Sequence, residues 1–482
     1  MPLVDRFRLA SFVALTFALL FAQAMGQQVQ SDPPLAITSV SVVNVSANSA
    51  TSALRMNQTV VIRAGRIAAV GESKTTVVPP GAQRINGGGK FLIPGLWDMH
   101  AHVLNPQNRD WVLPLYVVNG VTSVRDMHTN LPMKQISEWR REIIAGTLIG
   151  PRLAAVAGPM IAGPGAPFVK DTVATEEEAR RAVIARKEMG VDFIKVHEGL
   201  SRSPYLAIAD ESKRLRLTLV GHRGPVTASE ALEAGHHCLE HAGFLLAATS
   251  SIEAEVISQG LGMMSPAEMQ LLARARQSYS EDRLKALCSH FRSKRAWLVP
   301  TLVAGYTWDY LKDGSMPSPD WLKYMPQRIT RAWKAPNPMM AQLTEKDFTE
   351  AQANFDKSIE IVGSMHRAGV NIMAGTDAGV LLRGLIPGIS LHSEIALFVK
   401  AGFTPLEALR AATLAPARFL KMESTTGSIE RGKAADLVLL EANPLEDIRH
   451  TEKIAAVIVG GRLHDRRALD AMLTTLADGA RK

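Results

Sequence analysis

The sequence predicts an α/β protein: a barrel of eight parallel strands alternating with helices, with a small β-sandwich assembled from both chain ends. Three observations carry that expectation. Short apolar runs alternate with helical segments through the middle of the chain, the signature of a parallel sheet. Candidate ligands sit at or just after the ends of those runs, in FLIPGLWDMHAH, VDFIKVH, LTLVGH, CLEH and NIMAGTDAG. That is the layout of a barrel that delivers side chains to one mouth. Finally, β-rich texture brackets this region on both sides.

Taken in order, the first element is a leader. Arg6 and Arg8 precede the apolar stretch Leu9–Ala24, which closes on Ala22-Gln23-Ala24. This reads as a secretory signal peptide over residues 1–26, cleaved near Ala24 or Gly26, because the run is short and ends in small residues. No cysteine stands at the cleavage site and no later run reaches 18 apolar residues. The expectation is a soluble, exported chain, periplasmic or secreted, with no stable membrane anchor.

Residues 34–89 hold short β-rich runs, AITSVSVVNV, TVVIRAGRIAAVG and TTVVPPGAQRI, separated by the turn signals AGR and PPG. The same texture returns over 424–482, in ADLVLLEA and IAAVIVGGRL. Between them, 90–423 accommodates strands at 91–99, 121–126, 152–157, 191–196, 216–221, 237–240, 296–301 and 370–375. Helices fit between the strands. In TEEEARRAVIARKEMG, Thr175 is a suitable N-cap with Glu178 three residues on, and Gly190 closes the C-terminus. Two longer segments, Leu245–Arg295 and Tyr306–Asp356, interrupt the rhythm. The second is rich in Trp, Tyr, Met and Pro, and either walls a pocket or forms a surface helix pair or subunit contact.

At 482 residues and 46% hydrophobic content, the chain is long enough for a large barrel plus a smaller unit. The formal charge of +8 falls to +7 once a leader carrying one net positive charge is removed. No Lys/Arg block or interleaved aromatic stripe marks a nucleic-acid track, so the surplus reads as a solvated basic surface. Two cysteines, Cys238 and Cys288, could bridge in an oxidising compartment. Cys238 lies three residues before a candidate ligand, which favours a buried thiol.

The chemistry concentrates in six residues: His100, His102, Lys195, His222, His241 and Asp377. In a strand, side chains alternate with period two, so His-x-His presents both imidazoles on one face. Any one of these residues could be structural; six in this order at strand ends point to a metal site. Imidazole and carboxylate donors suit zinc and similar divalent ions. A serine triad has no support, since GxSxG is absent. His128, Tyr306, Arg223 and Arg383 are candidates for binding substrate, the two arginines because guanidinium pairs with carboxylate in bidentate fashion. Each could equally be structural. His197 is read as a loop histidine, and His236 and His237 as structural.

The motifs PGLWDMHAH, VTSVRDM, FIKVH, GTDAG, LRAATLAPAR and GKAADLVLL resemble the amidohydrolase superfamily. Within it they resemble the metal-dependent amidase branch of prolidase-like, carboxypeptidase-like and ochratoxin amidase-like enzymes. The resemblance runs from Ile37 to Ile448. It implies a distorted TIM (β/α)8 barrel carrying a small β-sandwich from both chain ends, and it makes a homo-oligomer the family-level expectation. It also implies two divalent ions, zinc in the first instance, bridged by Lys195 in its N6-carboxylated form. A free lysine is cationic near neutrality and is a poor ligand. On that pattern His100, His102 and Asp377 hold one ion, and His222 and His241 the other. A shared hydroxide then attacks a small-molecule amide, with Asp377 moving the proton. Lactone or ester hydrolysis on the same site is the nearest rival, and a mononuclear imidazolone-type hydrolase a more distant one. Two departures bear on dipeptide specificity. GPMIAGPGAPF replaces a histidine-bearing loop after the third strand, and HRG at His222 replaces H-A-H-G.

Overall fold

The computed structural model describes residues 33–481, apart from 167–168, 170–171, 260–264, 311–318, 335–339 and 380–382. The expected leader lies outside the described residues, and none of the described helices is long and apolar enough to cross a membrane.

Eight short strands in the middle of the chain carry the candidate site. They are β1 Leu96–His102, β2 Val121–Asp126, β3 Arg152–Val156, β4 Ile194–Val196, β5 Leu219–Gly221, β6 His236–Glu240, β7 Trp297–Val299 and β8 Asn371–Ile372. All the pairings among them are parallel, as the alternation with helices requires. They do not form one continuous ladder. β4 to β8 make one sheet in sequential order, and β1, β2 and β3 make another, completed by Ala378–Gly379 at the edge of β1. The expected closed barrel is therefore replaced by two sheets joined through isolated hydrogen bonds at two seams. At one seam Ile161 N donates to Lys195 O at 2.9 Å and His197 N to Ile161 O at 2.8 Å. At the other, Met99 N donates to Ala374 O at 3.0 Å and Asp377 N to His100 O at 2.7 Å. Around these strands one apolar cluster draws Trp97, Met99, Met127, Ala155, Phe193, Val220, Cys238, Val299 and Met373 together, at least one from or beside every strand.

Strand limits differ from the pattern-based ones for identifiable reasons. The run expected as one strand over 91–99 is split at Gly95, where a Cβ would lie 2.0 Å from Thr122 Oγ1. Phe91–Pro94 joins the sheet made by the chain ends, while β1 begins at Leu96. Strands four, five, seven and eight are only two or three residues long, because the chain leaves the ladder early to present side chains. His236, expected to precede the sixth strand, is its first residue; it is buried, with Nδ1 2.9 Å from Tyr205 Oη.

The chain ends build one eight-stranded hydrogen-bonded sheet. Its pivot is the strand Leu35–Val43, which pairs antiparallel with Leu54–Arg63 along one edge. Along the other edge its first half pairs with Gln83–Asn86 and its second half with Phe91–Leu92. Leu437–Leu440 then adds to Phe91–Pro94, followed by Ile454–Val459 and Arg462–Asp465. Ile37, Val42, Val60, Leu92, Leu437, Leu439 and Ile458 share a core separate from the larger one around the middle of the chain. A C-terminal helix, Arg466–Ala480, is an element the β-rich texture of 424–482 does not announce.

The helix expected after Thr175 is present as Glu176–Met189. Thr175 accepts from Glu178 N in a capping box, and Gly190 closes the helix at φ 81°. Cys238 and Cys288 are free and buried. The described parts of the two long segments are largely helical, including Pro266–Gln277, Leu302–Tyr310 and Glu345–Arg367.

Leu439 is 1% exposed and locks the C-terminal strands onto Phe91–Pro94. Leu439→Ala is expected to lower unfolding stability by about 2–5 kcal/mol, read from the denaturant midpoint.

Candidate metal centre

β1 ends in His-Ala-His, and a strand's period of two turns both imidazoles the same way. His100 is fully buried, and its Nδ1 lies 2.8 Å from Glu240 Oε2. With Nδ1–H donating to that carboxylate, Nε2 carries the lone pair. Nε2 of His100 faces His102 Nε2 at 3.3 Å, Asp377 Oδ1 at 3.3 Å and Lys195 Nζ at 3.3 Å. His102 Nε2 is 3.1 Å from the same Asp377 oxygen. The donor atoms of His100, His102 and Asp377 all lie within 4.8 Å of one another.

That spacing is a fit test for a metal. A tetrahedral ion bound at about 2.0–2.1 Å separates its ligands by about 3.3–3.4 Å. Converging acceptor atoms repel unless a cation lies among them, and the nitrogen and oxygen donors are those zinc-like ions accept. The residues present therefore suit a divalent ion.

His222 and His241 stand alongside. Ring centroids are 4.7 Å apart for His100 and His241, and 4.8 Å for His222 and His241. His241 Nδ1 lies 2.9 Å from Thr301 Oγ1, which orients the ring. Both His241 and Asp377 adopt left-handed backbone, at φ 68° and 60°. Such conformations are costly for residues with a Cβ and cluster at functional sites.

Burial sets the electrostatics. It drives His100 and His222 well below the usual imidazole range and His241 down to about 4, with nearby cations adding to the effect on the first two. These rings are neutral near neutrality, the state a metal ligand needs. Lys195 is 2% exposed and burial lowers it to about 8. No described carboxylate oxygen lies within 4.0 Å of its Nζ, and its one hydrogen bond is to His100. Burial works against the Asp377 carboxylate, but the His102 bond and nearby cations outweigh it and hold the group below its ordinary value.

Beneath the cluster lies a scaffold that the motifs alone do not reveal. Glu240, buried and immediately before His241, takes Arg125 Nη2 on its other oxygen at 2.7 Å. Arg125 in turn donates through Nε to Met99 O at 2.5 Å, and its guanidinium lies 5.6 and 5.3 Å from the ring centres of Phe193 and Phe419. Asp98 accepts from His100 N at 3.2 Å, Thr376 N at 3.0 Å, Thr376 Oγ1 at 2.6 Å and Tyr116 Oη at 3.2 Å. It thereby ties β1 to the turn that carries Asp377. The signal was present in WDMHAH and CLEH, as an acid two residues before one histidine and one residue before another.

A cavity of about 580 Å³ opens over the cluster, lined by His102, Lys195, His222, His241 and Asp377 and continuing to Arg223, Phe244, Leu272 and Phe355. His197 and Glu198 also line it. Burial and nearby cations, Lys195 first among them, push His197 down to about 3; burial and the neighbouring Glu268 push Glu198 up to about 7. Of the four candidates for substrate contact, Arg223 lines the cavity. His128 does not; its Nδ1 accepts Met160 N at 3.2 Å, which makes it a loop brace. Tyr306 is not among the lining residues and packs edge-on against Phe355, which is, with centroids 6.0 Å apart. Arg383 is not a lining residue; it follows residues 380–382, which lie outside the description. The segment 306–356 contributes Phe355 to the wall, while its Trp321 and Tyr324 pack against one another at a tilt, 5.3 Å between centroids.

The model of the Amidohydrolase family matches residues 91–464. Ochratoxinase of Aspergillus niger is 35% identical over 126 residues, 25% of this chain and 25% of that protein, so the match spans a quarter of its length. Imidazolonepropionase of Pseudomonas paraeruginosa is 25% identical over 413 residues, 78% of this chain and 89% of that protein. A Xaa-Pro dipeptidase crystallised with methionine in its active site superposes with a TM-score of 0.63 at 20% identity, covering 90% of this chain and all of the other.

Removing Arg125 would leave Glu240 as a buried, unpaired charge. Arg125→Met is expected to cost about 3–5 kcal/mol, and Arg125→Met with Glu240→Gln distinctly less. Denaturant unfolding of chelator-treated protein checks this.

Proposed function

Because the chain belongs to the amidohydrolase family, we propose that it is a binuclear metal-dependent hydrolase of amide C–N bonds in small molecules, exported by its leader. Substrates of the class are dipeptides, N-acyl amino acids and related amides with a carboxylate near the scissile bond. The observation that carries the reading is the convergence of His100, His102 and Asp377 donor atoms beside buried Lys195 at the floor of the cavity.

His100, His102 and Asp377 would hold one ion, His222 and His241 the second, and Lys195 would bridge them as its carbamate. Lys195 is buried, and among the described residues no carboxylate makes an ion pair with it, Glu240 and Asp377 acting on its charge only from farther away, which suits a side chain whose working form is an anion. Divalent ions at this position acidify water and polarise a carbonyl. Asp377, held ionised and braced by the His102 contact, is placed to accept a proton from the attacking water and pass it to the departing amine. Glu240 and Thr301 fix the faces that His100 and His241 present. The apolar cavity wall excludes water from the remainder of the substrate.

A mononuclear imidazolone-type hydrolase is the second reading, favoured by the length of the imidazolonepropionase match and by there being one tight donor trio among the described residues. Metal stoichiometry separates the two. The binuclear reading expects close to two ions per chain and hydrolysis of dipeptides or N-acyl amino acids that chelation abolishes; one ion with an unmodified lysine would favour the alternative. Lactones and esters tested beside the amides separate amidase from esterase.

Two variants test the residue roles. Asp377→Asn is expected to lower kcat by about 10²–10⁴-fold with the fold retained by circular dichroism, and normal turnover would overturn its role. Protein equilibrated with carbon-13 bicarbonate is expected to show a carbamate resonance that Lys195→Arg lacks.

A further inference from the structure

Thr301, whose hydroxyl orients His241, sits in the left-handed region at φ 44°. For a β-branched residue that conformation is a genuine outlier, and it persists only where the surrounding structure over-determines it. Part of what holds it is local. The Thr301 carbonyl accepts Ala304 N at 3.0 Å and Gly305 N at 3.4 Å, which ties the residue to the first turn of the helix Leu302–Tyr310. An α-helix leaves its first N–H groups without partners of its own. Here one of them is met from a distant part of the chain: Glu394 Oε2 accepts Val303 N at 2.7 Å.

Glu394 is fully buried on the helix Ile389–Lys400, which follows β8. Its other oxygen has no hydrogen-bond partner among the described residues, so its bonding is directed at the start of Leu302–Tyr310. Burial pushes the carboxyl up to about 8 against the backbone bonds it accepts, so near neutrality it serves as an uncharged acceptor. Burying such a group is costly without a bond of this kind. The first proposed ion has separate braces. His100 is held by Glu240, and the turn carrying Asp377 by Asp98, through hydrogen bonds in which Glu394 takes no part.

We infer that Glu394 is a positioning residue for the second ion: by pinning the start of Leu302–Tyr310 it fixes Thr301, and through Thr301 the face that His241 presents. The inference rests on the binuclear reading above and adds to it a residue that touches neither an ion nor a substrate. Loss of the Val303 bond frees Thr301 to leave its strained conformation, and the His241 ring then loses its partner. His222 alone is a poor site for a divalent ion, whereas His100, His102 and Asp377 keep their geometry.

The test is zinc titration of the full chain against a competing chelator, with metal analysis and circular dichroism. Glu394→Asp, one methylene too short to reach Val303 N, and Glu394→Met, which lacks the oxygen acceptor, are expected to keep the first ion and to bind the second about tenfold or more weakly. Glu394→Gln retains an acceptor at the same reach and is expected to take up both ions as the unaltered chain does. Thr301→Val is expected to show the same selective loss, and to add little to it when combined with Glu394→Asp, because the two act through one path. Two ions bound with unaltered affinity by Glu394→Asp would overturn the inference, as would equal weakening of both ions, which marks a general structural support. If Glu394→Met does not fold, the contrast between Glu394→Asp and Glu394→Gln decides alone. A single ion in the unaltered chain would instead overturn the binuclear reading on which the inference rests.

Discussion

Glu240 is a carboxylate with no access to water, and the site is organised so that its charge never stands alone. One oxygen meets Arg125 at 2.7 Å and the other meets His100 at 2.8 Å. A buried ion pair of this kind gains little net stability over an apolar replacement. What it provides here is direction. Arg125 is held by the Met99 carbonyl and by Phe193 and Phe419, so Glu240 has a fixed partner, and the second nitrogen of His100 faces His102, Asp377 and Lys195. The neighbouring donors can then converge because the first is immobile.

A second buried acid does for the backbone what Glu240 does for the ring. Asp98 gathers four donors from β1, the Thr376 turn and Tyr116, closing the seam where the ladder between β1 and β8 is incomplete. That turn then carries Asp377 in a left-handed conformation that an isolated peptide would avoid. Hydrogen bonds at Asp98 and Asp377 hold it there, so the break in the ladder and the position of the carboxylate are one structural fact.

Much of this was legible in the sequence, and the remainder was hidden for a physical reason. His-x-His, the strand-end lysine and histidines, and the Thr175–Gly190 helix follow from local periodicity and capping, which operate within a few residues. Arg125 and Glu240 are 115 positions apart, and Asp98 and Thr376 are 278 apart. Nothing local pairs them, and each alone reads as an ordinary strand charge. The split at Gly95 was equally invisible, because it depends on how close Thr122 comes. Glu198 and Glu268 come from different segments and meet only across a cavity. His128 and Tyr306 had suitable chemistry, but their local positions could not reveal which way their side chains would turn.

The strand Leu437–Leu440 pairs with Phe91–Pro94, so the last part of the chain completes a sheet that the first part begins. Closing so long a loop costs only logarithmically more entropy than closing a shorter one, and the native state bears it easily. Time is affected more. Phe91–Pro94 emerges early and presents an unfilled edge until some 340 residues later, when Leu437–Leu440 arrives. During that interval the exposed edge is a template for other chains. Assembly of this protein is therefore paced by its C-terminus, and the stretch from Ala435 to Asp465 governs how long a nascent molecule remains vulnerable.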